Sequence, residues 1–206
     1  MDSTEARRRW AERSGAYSPT YYAHHGPNGT SEAIREHLAS LDRDAAILEL
    51  GCSSGRHLAH LHDHGYGNLH GIEINPDALN VMAETYPELA TQGTFHVDAI
   101  QDAIREFDDG RFDVVFSVET LQHIHPDDEW VFDEVRRITD DRLLTAENEG
   151  EATDRRGTAT DAVNEVDGVP LYYRNWRDVF TDRNFAEIGS EPVKRGTLRV
   201  FRPKQD

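Results

Sequence analysis

Residues 47–58 read ILELGCSSGRHL, an apolar run that ends in an acid, passes through a glycine-bearing turn at Gly51–Gly55 and continues into an amphipathic stretch. Glycines there let the backbone come close to a ligand, and the helix that follows offers unpaired N–H groups. The arrangement predicts a small ligand at the tip of a strand. Twenty-two positions after Gly51, within HGIEINPDAL, stands Glu73 at the end of the next apolar run. A carboxylate at that tip can accept hydrogen bonds from both hydroxyls of a ribose, so the pair of tips predicts a nucleoside pocket.

The pattern continues outward from these two runs. Apolar segments Ala45–Leu50, Asn68–Ile74, Thr94–Asp98, Phe112–Val118 and Leu143–Glu147 alternate with amphipathic ones, the signature of βα units and a mostly parallel sheet. Two further segments, Ser190–Lys194 and Thr197–Arg202, flank Gly196 and predict a terminal hairpin. Helices are expected after Ser31, from Gly55 to His64, after Asn75-Pro76 with Pro87 as the stop, from Pro126 through Ile138, and after Asn175. The stretch before Ser31 carries Tyr17, Tyr21, Tyr22, His24 and His25 without clear periodicity, and reads as a short helix and a loop that can serve as a lid. No repeat or long linker interrupts the chain, so the expectation is one domain, 1–206, with a helical lid segment at 1–44 and a Rossmann-like core at 45–206.

The turn itself separates the possible nucleoside cofactors. A dinucleotide fingerprint wants G-x-G-x-x-G, but Ser53 and Arg56 occupy the second and third glycine positions, and the phosphate-cradling G-x-x-x-x-G-K-[ST] is missing. By contrast Glu49, Gly51 and Gly55, with Glu73 downstream, resemble the first two motifs of class I S-adenosylmethionine-dependent methyltransferases. FHVDAI around Asp98 and FDVVFSVETLQHIHP from Phe112 to Pro126 extend the resemblance toward the small-molecule branch of that family. It implies an α/β, Rossmann-like, doubly wound sheet of about seven strands, mostly parallel, with an antiparallel C-terminal hairpin and helices on both faces. It also implies S-adenosylmethionine as cofactor and S-adenosylhomocysteine as product.

Residue by residue, the resemblance gives Glu49, Gly51, Ser53 and Gly55 to the turn around the methionine part of the cofactor and Glu73, with Ile74, to the ribose. Asp98 and Ala99 fall to the adenine, and Ser117 and Val118 leave the fourth strand beside the sulfonium. Glu119 and His123 follow on the segment that lies beside the transferred methyl group, and are the catalytic candidates. A histidine suits proton transfer near neutral pH, yet His123 and His125 can equally be surface residues or caps. Spacing does not gather the three protein ligands of an open metal site around them, and no metal is expected. Tyr21, Tyr22, Glu147, Tyr172 and Arg174, with Glu149 and Tyr173, are candidates for acceptor binding because ligands collect at the carboxyl ends of such strands. Cys52, the sole cysteine, has no evident base partner and reads as packing.

Composition narrows the classes. The 206 residues carry 39 acidic against 22 basic side chains for a net charge of -17, and lysine occurs only at 194 and 204, which leaves 20 arginines. Such an excess repels itself in dilute buffer and is screened by salt, which predicts a halophilic source. It also disfavours nucleic acid, whose phosphates need clustered cations. No apolar stretch approaches the roughly 20 residues of a membrane span, and the charged start MDSTEARRRW does not read as a secretory signal. The expectation is a cytoplasmic monomer or homodimer acting on a small molecule. The competing reading is a cofactor-binding regulatory or partner subunit without transfer activity of its own.

Overall fold

The computed structural model describes residues 1–149 and 164–204. Seven strands form one sheet in the order β3-β2-β1-β4-β5-β9-β8. They are β1 (Ile47–Leu50), β2 (Leu69–Glu73), β3 (Thr94–Val97), β4 (Phe112–Val118), β5 (Thr139–Glu147), β8 (Phe185–Val193) and β9 (Gly196–Pro203). The first five pair in parallel; β9 runs antiparallel to both β5 and β8. The chain leaves β1 toward β2 on one side and returns to β4 on the other, so the strand order reverses between β1 and β4. Loops diverge at such a reversal and open a crevice beyond the carboxyl ends of the strands.

Alternation along the buried strands feeds two cores. In β4, Val115 points into a core with Phe132, Trp176 and Phe180, while Val114 and Phe116 join Leu58, Met82 and Leu89 on the opposite face. The first face is covered by α7 (Ile100–Ala103), α8 (Val131–Ile138) and α9 (Trp176–Thr181). The second is covered by α3 (Gly29–Leu38), α4 (Arg56–Asp63), α5 (Asp77–Thr85) and α6 (Pro87–Gln92). Each large apolar side chain removed from water contributes about 1.5 to 3 kcal/mol, which is why the sheet holds its helices without disulfides. None of the helices among the described residues is long and apolar enough to cross a membrane.

The structure departs from the sequence reading at several joints. The third helix is capped by Asn28, not Ser31; Ser31 Oγ instead accepts from the Asn28 N–H in a reciprocal capping box. Pro87 ends α5 and also opens α6, because a residue without an N–H cannot continue a helix yet fits the first position of the next. Pro126 opens a single 3-10 turn, and the α-helix starts at Val131. Strand β5 begins at Thr139, so the acidic pair lies within a strand, Asp140 exposed and Asp141 half-buried. Two helices precede Asn28, α1 (Ser3–Ala11) and α2 (Pro19–His25), where one was expected. A small hairpin, β6 (Asn164–Val166) and β7 (Val169–Leu171), was not expected at all.

Candidate active site

A cavity of about 380 Å³ opens at the carboxyl ends of β1, β2 and β4, where the reversal of strand order predicts one. Its floor is the turn after β1. Gly51 and Gly55 have φ of 70° and 81°, and Ser53, without glycine's freedom, is held at 51°. A side chain on Gly51 would begin 2.5 Å from the Thr120 side chain, so this glycine lets the turns after β1 and β4 pack against each other. Gly55 lies outside the wall; a Cβ there would meet Met82 at 2.9 Å, which makes it a packing joint between α4 and α5.

Three carboxylates stand at successive strand tips on this wall: Glu49, Glu73 and Asp98. Glu73 is fixed by its own loops, accepting from the Ser53 N–H through Oε2 and from the Asn75 N–H through Oε1, each at 2.8 Å. Burial raises its pKa, while the Asn75, Ser53 and Ile74 backbone bonds pull it down. Glu49 is fully buried and pushed well above the usual carboxylate range by burial, with Arg56 opposing, and its Oε2 has no hydrogen-bond partner among the described residues. A buried oxygen left open at a cavity wall asks for a donor from a ligand. Asp98 accepts from the Ala99 N–H at 2.8 Å and is exposed at the rim, whereas Ala99 itself is buried behind it. Ile74 and Val118 complete this side of the wall.

The opposite wall is assembled from distant segments. Trp10 of α1 packs on His123 with ring centroids 4.1 Å apart, and Arg13 lies 4.7 Å over the Trp10 ring. The Arg13 carbonyl accepts from Asn75 Nδ2 at 2.9 Å, and its guanidinium pairs with Asp167 in the β6–β7 turn at 2.7 Å, so the N-terminal segment is held at Arg13 through both backbone and side chain. Burial lowers the pKa of His123 to about 3, against a raising hydrogen bond with the Glu119 backbone; the ring is uncharged at neutral pH, with Nδ1 unpartnered among the described residues. Glu119, at φ 50°, pairs with Arg195 at 3.4 Å. Arg195 reaches it because the next residue is Gly196, where a Cβ would collide with the Glu147 carbonyl at 1.9 Å.

The acceptor candidates divide. Tyr22 lines the cavity; its phenol is pushed up to about 12 by burial and then by Glu119, so it remains a donor. Tyr21 does not line it and packs among Tyr17, Tyr22 and His25. In the extended chain after β7 neighbouring side chains diverge: Tyr173 lines the cavity, while Tyr172 meets the edge of His125. Glu147, Ser117 and Arg174 are buried behind the wall. Glu147 Oε1 accepts from Ser117 Oγ at 2.8 Å and from the Thr120 and Leu121 N–H groups at 3.1 Å, so it shapes the turn that carries Glu119. Burial pushes its pKa up to about 7, against those bonds. Arg174 donates to the Ile124 carbonyl at 2.9 Å and pairs with Glu129 at 3.2 Å, bracing the connection after β4. Of the segment Glu147–Arg174 assigned to the acceptor, residues 150–163 lie outside those described.

Trp10, Arg13, Asn75 and Arg195 were missed from the sequence. The Asp167-Gly168 turn that holds Arg13 did have a signal, an Asp-Gly pair flanked by valines, and both residues adopt the positive φ of a type I′ hairpin. Trp10 had none, since a lone aromatic on a charged helix does not declare its partner.

Residues 47–141 match the family model described as a methyltransferase domain. Ubiquinone biosynthesis O-methyltransferases of Rickettsia bellii, strains OSU 85-389 and RML369-C, are 30% identical over 108 residues, 52% of this chain and 42% of theirs. The chain thus spans less than half the length of the curated relatives it matches. Among solved structures, magnesium protoporphyrin IX methyltransferase from Synechocystis PCC 6803, with bound S-adenosylmethionine, superposes with a TM-score of 0.62 at 14% identity, over 97% of this chain and 89% of that one. The [4+2]-cyclase SpnF gives 0.67 at 13%, over 96% and 86%. The fold is shared with these solved structures, and the match over residues 47–141 is to a methyltransferase domain.

Proposed function

We propose that this chain transfers a methyl group from S-adenosylmethionine to a small-molecule acceptor. The observation that carries the reading is the row Glu49, Glu73 and Asp98 over a turn with three positive-φ residues, with Glu49 Oε2 buried and unpartnered. These groups fit the cofactor. Glu73 is preset by two backbone donors to receive ribose hydroxyls, Asp98 at the rim fits an adenine amino group, and Glu49 suits the cationic amino end. The cofactor would supply a methyl group already activated by its positive sulfur.

The protein's part is then to hold the acceptor in line and keep water out, and such positioning can lower a barrier by roughly 7 to 11 kcal/mol. Trp10, Tyr22 and Tyr173 supply an apolar wall for a flat acceptor, and residues 1–28, which precede α3, serve as the lid. A hydroxyl acceptor, the kind named in the curated relatives, needs somewhere for its proton to go. Glu119 is the candidate, because His123 at about 3 is a poor base and can only accept a hydrogen bond through its free nitrogen. The enclosed second wall favours transfer over binding alone. The acid-rich, lysine-poor composition supports a salt-adapted cytoplasmic protein.

The test is release of S-adenosylhomocysteine from S-adenosylmethionine in molar KCl with a panel of small phenols, alcohols and amines. Acceptor-dependent release, much reduced in Glu119→Gln, is expected. Tight cofactor binding with no release from any acceptor would replace this reading with that of a binding subunit.

A further inference from the structure

A second group of ligating side chains lies outside the cavity wall, between α3 and α4. Glu32 of α3 and His60 of α4 meet at 2.8 Å, Oε2 to Nε2, and His64 follows one turn along α4. The three residues offer one ligand atom each, all within 4.8 Å of one another. Positions i and i+4 share one face of a helix, so both imidazoles turn toward the same carboxylate. Among the described residues no other group of this kind gathers as closely.

Two neighbouring bonds make the cluster more than an ion pair. His64 Nδ1 lies 2.7 Å from the His60 carbonyl. A carbonyl only accepts, so Nδ1 carries the proton and Nε2 keeps its lone pair, the state in which metal-ligating histidines are usually held. Arg35 donates to both Glu32 oxygens, at 2.9 and 2.6 Å, which orients the carboxylate and keeps it ionised. The Arg35 bonds first, and His60 next, hold Glu32 down at about 2.

We propose that Glu32, His60 and His64 bind a divalent ion of the zinc class and clamp α3 to α4. Two imidazoles and one carboxylate suit zinc and its first-row neighbours, while magnesium prefers an all-oxygen shell. Three protein ligands leave one tetrahedral position to water. The hydrogen between His60 Nε2 and Glu32 Oε2 must move off Nε2 when the ion enters, and the neutral ring can carry it on Nδ1 instead. The clamp reaches the cofactor wall, because Ser31, beside Glu32, bonds His57 Nδ1 at 2.8 Å, and His57 lines the cavity.

The test titrates Zn²⁺ alone into chelator-treated protein by calorimetry and follows the melting temperature of the same samples. One ion per chain is expected, with a melting temperature raised by Zn²⁺. His64→Ala, at an exposed position, should keep the metal-free melting temperature and weaken Zn²⁺ binding at least tenfold. His62→Ala, on the same helix but bonded to Gln92, should leave it unchanged. No Zn²⁺ binding, or binding unaltered by His64→Ala, would each overturn the site. None of these readings depends on methyl transfer.

Discussion

The two walls of the cavity are built by opposite means. On the side we propose for the cofactor, Glu49, Gly51, Glu73 and Asp98 sit at the ends of consecutive parallel strands, each placed by the strand that precedes it. On the side we propose for the acceptor, Trp10, His123, Tyr173 and Arg195 arrive from four separate parts of the chain. Yet each wall holds one non-glycine residue in the left-handed region at a strand exit, Ser53 after β1 and Glu119 after β4. Such conformations cost about 1 to 3 kcal/mol each and persist where surrounding contacts impose them. Here the first is held by Glu73 and the second by the turn bonded to Glu147.

This contrast can be broken most severely at the joint between the walls. Gly51→Val would strain a φ of 70° and drive a side chain into Thr120, so cofactor binding should vanish. Denaturant unfolding should show a loss of about 2 kcal/mol or more.

Glu147 tests whether the acceptor wall depends on a buried acid. The folded protein keeps its proton up to about 7, while the unfolded chain releases it near 4.5, so this group lowers stability as pH rises through that window. Glu147→Gln should flatten that fall by about 3 kcal/mol, read from denaturant midpoints between pH 4.5 and 7.5. Equal slopes in both proteins would remove Glu147 from the account.

Glu73→Ala should weaken S-adenosylhomocysteine binding about 100-fold, since charge-assisted bonds contribute roughly 1.5 to 3 kcal/mol each. Tyr173→Ala should act on the other wall alone, raising KM for the acceptor about tenfold with cofactor affinity unchanged. If it weakened the cofactor equally, the two walls would not be separable. The smallest effect concerns the whole surface. Added KCl should raise the melting temperature, and about 1 kcal/mol of relieved repulsion corresponds to roughly 2 to 4 °C for a chain of this size.

The same contrast explains what could be read in advance. The cofactor wall was legible because strand, turn and helix follow one another locally, and glycine or carboxylate at a strand tip has a physical meaning without knowledge of its neighbours. The acceptor wall was only partly legible. Glu119 and His123 follow β4 directly, and Tyr22 was flagged by its aromatic company, but Trp10 and Arg195 depend on tertiary contacts that no local pattern encodes. Glu147 and Arg174 show the reverse limit: charged residues near strand ends look like ligand contacts, and here their hydrogen bonds go to the protein's own turns. The hairpin β6–β7 carries a turn signal in Asp167-Gly168, but strands of three residues each are too short to show an alternation of their own.

The most direct measurement is calorimetric titration of S-adenosylmethionine and S-adenosylhomocysteine into wild-type and Glu73→Ala protein at high KCl, with a nicotinamide dinucleotide as control. The account predicts micromolar binding of the first two to the wild type, about 100-fold weaker binding to the variant, and none of the dinucleotide. Failure of the wild type to bind either sulfur compound, or equal affinity in a folded Glu73→Ala, would contradict it.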